Sequence, residues 1–177
     1  RHDRYRVGEP ALDRRDRGVA AAMALGLTVR PAVAADRKFI EDLGRRTLGS
    51  SVATFRPAPG AMIEGSYERL LEIVFGQSHV GLIAERAGVP IGFLLMLDQL
   101  PDEVTAMPQG FIAYTAVEPA ARRSGAGRAL LIAAEDEAKR RALPYMGLMV
   151  TEENVAARAL YEGAGYRTER RLLCKEL

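Results

Sequence analysis

The order of apolar segments predicts an α/β fold with a mixed, twisted sheet and helices on both faces. Three observations carry this. Two apolar, strand-like runs, Val80–Glu85 and Ile91–Leu97, are joined by the turn-like RAGVP and form an antiparallel hairpin. A third run, Phe111–Val117, passes through a glycine-rich stretch into a helical pattern and then into another strand, the mark of a βαβ crossover. That later strand, Tyr145–Val150, is apolar throughout rather than alternating, as expected of a central strand. The full order is β-α-α-β-β-β-α-β-α-β, which predicts a sheet of about six or seven strands.

Residues 1–26 read as an N-terminal extension and 27–177 as one domain. Arg1–Arg17 holds six arginines and four acids, and Val19–Leu25 reads as a short helix. Leu27–Arg30 reads as a strand ended by Pro31. Ala35–Leu48 reads as a helix, with Phe39, Ile40 and Leu43 at helical spacing. Gly49–Gly60, with two prolines and two glycines, is a loop. In the next helix Ile63, Tyr67, Leu70, Leu71, Val74 and Phe75 share a face. Asp98–Gln109 is a polar loop after the hairpin. Gly127–Ala142 is a helix with Leu130, Leu131, Ala134 and Ala138 inward. Asn154–Gly163 is a short helix, and Gly165–Leu177 a final long strand.

Composition narrows the function. At 177 residues and 48% hydrophobic content the chain can bury one core. No apolar run is long enough to span a bilayer, and the charged first 17 residues lack a secretory core, so a soluble, cytoplasmic protein is expected. One cysteine, Cys174, and two histidines, His2 and His79, leave no material for a disulfide or a cysteine- or histidine-rich metal centre. The formal charge of +2 is carried by the extension, leaving a balanced body with few aromatic stacking platforms, and nucleic acid is not an expected partner.

The stretch ARRSGAGRALL (121–131) carries the chemistry. Glycines at a strand-to-helix junction allow a tight turn and close approach of a ligand. The first N–H groups of the helix have no internal acceptor and, with the helix dipole behind them, form an anion site. Arg122, Arg123 and Arg128 add charge, so a phosphate or pyrophosphate pocket is expected. A Walker A loop would need Gly-Lys-Ser/Thr where Gly127-Arg128 stands, and a dinucleotide fingerprint would need glycine at Leu130; both fail. Downstream, Asn154 suits an N-cap, and Tyr161 lies two turns later at nearly the same azimuth, with small Ala157 between them.

YTAVEPAARRSGAGRALL, together with MGLMV and TEENVAARALYEGAGY downstream, resembles the GNAT superfamily of acyl-CoA-dependent N-acetyltransferases over residues 27–177. The resemblance implies acetyl-CoA as cosubstrate and no metal. Pantetheine would lie on Thr115, Ala116 and Val117 as an added strand. The pyrophosphate would lie on Arg122, Arg123, Ser124, Gly125, Ala126, Gly127 and Arg128. Asn154 would orient the arm, Ala157 would leave room for it, and Tyr161 would protonate the departing thiolate. The acceptor would be a primary amine on a small molecule or on a protein N-terminus or lysine, bound among Gly49–Gly65, Tyr67, Asp98–Gln109 and the last strand. The alternatives are a catalytically silent acyl-CoA-binding module and a dedicated protein acetyltransferase. Homodimerisation through the last strand fits the family but is not readable from these residues.

The remaining candidates are blander. No residue is assigned as the base. Glu118 is expected to face solvent, and Tyr114 could face the acceptor. Asp98, Asp102 and Glu103 could attract a cationic amine, although such loop acids are more often solvated surface charges. His79 reads as a turn or surface residue and Cys174 as a packed small one.

Overall fold

A computed structural model describes residues 26–177; the extension and its helix Val19–Leu25 lie outside the described residues, apart from Gly26. Five strands, β1 (Leu27–Pro31), β2 (His79–Arg86), β3 (Val89–Leu97), β4 (Gln109–Val117) and β5 (Tyr145–Leu148), form one sheet in sequential order. Four α-helices accompany them: α1 (Arg37–Thr47), α2 (Gly60–Phe75), α3 (Ala126–Arg140) and α4 (Val155–Gly163). Every strand pair is antiparallel except β4–β5, which α3 makes parallel. The β2–β3 turn places Ala87 and Gly88 at φ 51° and 78°, the doubly left-handed geometry of a tight hairpin.

The pleat sorts the core into two layers. On one face Val80, Leu82, Leu94, Met96 and Ile112 meet Leu130, Leu131, Ala134 and Ala138 of α3 and Tyr161 of α4. On the other, Ile83, Phe93, Leu95 and Leu97 meet Ile40 and Leu43 of α1 and Tyr67, Leu71 and Val74 of α2. Alternate residues of β3 are thus buried on both sides, and its run from Gly92 to Leu97 is buried throughout. Helix α1 passes α2 closely at Gly44, where an added Cβ would fall inside the Tyr67 ring.

Two features open the sheet at its working end. Opposite Leu95 and Met96 stand Tyr114 and Ile112, so Ala113 is surplus to the ladder, a β-bulge. The β4–β5 pairing runs only from Gln109↔Tyr145 to Ile112↔Leu148. Beyond the bulge, β4 continues to Val117 with no strand partner on its β5 side.

Against the expected six or seven strands, the described residues form five. Residues 166–177 form no strand. Leu172 and Leu173 are adjacent rather than alternating, so no single face of this segment could be buried, and both stay exposed. The segment is held from outside, by Arg170 on Asp102 and Glu103 and by Arg56 beside Cys174. Cys174 is therefore exposed, not packed. The fifth strand lies at the edge of the sheet rather than at its centre, and it ends two residues early, leaving Met149 and Val150 outside it.

Candidate active site

The loop between β4 and α3 adopts the conformation its glycines suggest. A 3-10 turn, Pro119–Ala121, is followed by Arg123 at φ 62° and Gly125 at φ 89°, both left-handed, and Gly125 is the N-cap of α3. Left-handed residues at positions 123 and 125 turn the chain sharply ahead of α3, and turns of this kind can present main-chain N–H groups to an anion. From Arg123 to Arg128 no main-chain N–H donates to a described acceptor; the turn closes instead through Arg122 N to Pro119 O and Ala129 N to Gly125 O. Ser124 braces the loop by donating its hydroxyl to Ala121 O at 2.6 Å. Arg122 and Arg123 are exposed and Arg128 is half-buried, and none of the three pairs with an acid among the described residues.

Gly127 serves a different purpose from Gly125. A Cβ on Gly125 would meet nothing, so this glycine is needed for its φ. A Cβ on Gly127 would lie 3.2 Å from Leu160 Cδ2, so this glycine lets α3 approach α4.

The open edge of β4 adjoins the loop. Ala116 is buried, and Thr115 and Val117 are half-buried. Thr115 donates its hydroxyl back to Phe93 O at 3.0 Å, which fixes the strand to β3 and leaves its other edge free.

Helix α4 starts as expected. Asn154 Oδ1 accepts from Ala157 N at 3.2 Å, a side-chain N-cap, while its Nδ2 donates to Ser50 O at 3.3 Å. Ala157 packs against the α3 layer, and Tyr161 is buried in that layer with its ring 5.9 Å from Tyr166. Burial pushes the Tyr161 phenol above its ordinary value of 10.0, so it holds its proton.

A clasp that the sequence did not reveal joins the two sides of the site. Thr54 donates its N–H and hydroxyl to the Glu153 carboxylate, both at 2.9 Å, and Thr151 donates to Ser51 O at 2.8 Å. With Asn154, these bonds tie residues 50–54 to the loop ahead of α4. Isolated threonines and a glutamate in two loops carry no motif; only the fold pairs them.

Beside the clasp lies a pocket of about 320 Å³, walled by Leu48, Val52, Ala58, Met62, Ile63 and Leu70, with Ser51, Ser66, Tyr67 and Tyr114 also on its surface. The expected acceptor region from Gly49 to Tyr67 does gather here, and Tyr114 joins it. The polar loop does not. Asp98 is buried and held by Ser78 and Arg141, at the opposite end of the sheet from Val117. Asp102 and Glu103 are occupied by Arg170. Hydrogen bonds from the Thr105 hydroxyl and N–H, then from Arg170, hold the Asp102 carboxyl well below the usual carboxylate range. Glu118 pairs with Arg46. His79, at the start of β2, sits edge-on to Phe75 with its Nδ1 2.9 Å from Gln77 O.

Comparison with known proteins adds family membership to this geometry. Residues 53–166 match the acetyltransferase (GNAT) family model. A mycothiol acetyltransferase from Thermobispora bispora is 37% identical over 84 residues, 48% of this chain but only 28% of that protein. A Pyrococcus furiosus structure provisionally described as an acetyl transferase superimposes with TM-score 0.73 at 25% identity, covering 85% of this chain and 99% of that one. An aminoglycoside N-acetyltransferase solved with CoA shares the fold, with TM-score 0.61 at 18% identity, covering 85% of this chain and 98% of that one. No described helix is long and apolar enough to cross a membrane.

Proposed function

The chain belongs to the acetyltransferase (GNAT) family, and on that premise we propose that it moves an acetyl group from acetyl-CoA to a primary amine by direct attack in a ternary complex. One observation supports this reading: among the described residues, six consecutive N–H groups, Arg123 to Arg128, have no acceptor and stand at the end of a strand whose neighbouring edge has no partner. A diphosphate fits the first, with Arg122, Arg123 and Arg128 around it. An amide-bearing arm fits the second, as an added strand along Thr115, Ala116 and Val117. Asn154 fixes the start of α4 and, through it, the far wall of the arm's groove beside Ala157.

The amine nitrogen attacks the thioester carbonyl carbon. A carbon–nitrogen bond forms, the carbon–sulfur bond breaks, and the thiolate leaves with the electron pair. An N–H near Val117 stabilises the carbonyl oxygen as it gains charge, a contribution of roughly 10²–10³ in rate. Tyr161 gives its proton to the sulfur. Burial raises the phenol and makes it a weaker proton donor, and the same desolvation raises the proton affinity of the departing thiolate. The ammonium proton leaves to solvent before attack; the nitrogen loses a second proton as the amide forms, and through solvent that proton restores the Tyr161 phenol.

Calorimetry with acetyl-CoA and CoA, followed by thiol release in the presence of primary amines, tests the proposal. Binding together with amine-dependent thiol release is expected. Absence of heat with both ligands would remove the pyrophosphate assignment, and binding without turnover would reduce the protein to an acyl-CoA receptor.

A further inference from the structure

We infer that the amine accepted by this site is a monoamine with an apolar or aromatic body, not a polyamine or aminosugar. This rests on the acetyl-transfer reading above and adds the acceptor class. Tyr114 lines the pocket and directly precedes the strand stretch Thr115–Val117 proposed to hold the pantetheine arm, so what fills the pocket stands on the side of that arm. Its walls are mostly aliphatic and, among the described residues, carry no carboxylate. The Tyr67 hydroxyl is spent on Ile40 O at 2.9 Å, and that of Tyr114 lies 3.4 Å from Thr47 Oγ1. Of the acids nearby, Glu118 pairs with Arg46, Glu68 with Arg45 and Glu153 with Thr54, while Glu64 and Glu72 of α2 stand outside the described lining of the pocket.

A longer acceptor meets more of the same surface. A second pocket of about 380 Å³ shares Ser66 and Leu70 with the first and is lined by Ile73, Leu97, Phe111 and Ala113. Among the described residues its one ionised wall residue is Arg69. A second ammonium would therefore lose water, find no carboxylate and face a guanidinium, each of which opposes binding.

The same lining accounts for the missing base. An apolar wall disfavours the ammonium form of the amine and lowers its pKa, so the free base is supplied by desolvation rather than by a side chain.

The test compares hexylamine with 1,6-diaminohexane, matched in carbon chain, and 2-phenylethylamine with spermidine, by thiol release at saturating acetyl-CoA. The apolar monoamines are expected to have kcat/KM at least about tenfold higher. Equal or better diamines would overturn the inference. Ser66→Asp places a carboxylate on the exposed wall common to both pockets and should narrow the ratio severalfold; an unchanged ratio would also overturn it. If acetyl-CoA fails to bind, the acetyl-transfer reading falls by itself. Titrating 2-phenylethylamine and spermidine onto the protein without cosubstrate then still decides the pocket. Tighter spermidine binding, or no binding of either, overturns the inference; tighter 2-phenylethylamine binding supports it.

Discussion

The donor side and the acceptor side of this molecule are built from different materials. The proposed donor side, from Thr115 to Arg128, works through the main chain: left-handed Arg123 and Gly125, unpaired N–H groups and a free strand edge. The proposed acceptor side, from Leu48 to Leu70, would work through side chains on a 3-10 turn, a loop and one helix face. Backbone geometry demands particular residues at particular spacings, whereas an apolar wall is satisfied by many combinations of leucine, valine, methionine and isoleucine. The first side therefore leaves a motif and the second does not.

Substitutions can break that division or sharpen it. Tyr161→Phe carries the largest expected effect, a fall in kcat of roughly 10²-fold with acetyl-CoA affinity retained; full kcat would remove the phenol from the chemistry. Gly125→Val forces a β-branched residue to φ 89° and should raise the KM for acetyl-CoA by roughly 10–100-fold, as donors in the loop are misdirected. An unchanged KM would mean the loop does not hold the diphosphate. Gly44→Ala acts on the opposite side. Its methyl group displaces the Tyr67 ring, which should destabilise the fold by about 1–3 kcal/mol in denaturant titration and raise the KM for the amine more than that for acetyl-CoA. Equal changes in both would show that the two sides are not separable.

Arg123→Asn separates charge from conformation. Asparagine tolerates the left-handed region, so stability should hold or rise by up to about 1 kcal/mol while the KM for acetyl-CoA rises severalfold. The smallest effect is in the pH profile. Burial raises the Tyr161 phenol, so its protonated form persists as pH rises. The rate should climb as the acceptor amine loses its proton and should show no decline from Tyr161 below about pH 10. A falling limb near neutrality would assign the acid to another group.

How far the sequence could be read follows the same division. The hairpin, the crossover, the glycine loop and the Asn154 cap were legible because each depends on local periodicity or turn chemistry. The bulge at Ala113 was hidden, since FIAYTAV remains apolar whichever face each residue takes. Asp98 looked like loop surface; its burial depends on Arg141, 43 residues away. Gly44 carries a signal in the sequence, because a glycine inside a helix costs roughly 0.5–1 kcal/mol and so marks close packing. The last strand was overread from its apolar content although its leucines do not alternate.

The surplus residue in β4 has a consequence for behaviour in concentrated solution. It stops the sheet like a seam left unsewn for five residues, and bare seams attract foreign strands. The molecule that completes the seam would then act as its guard: light scattering should report more self-association in ligand-free protein than in protein saturated with CoA.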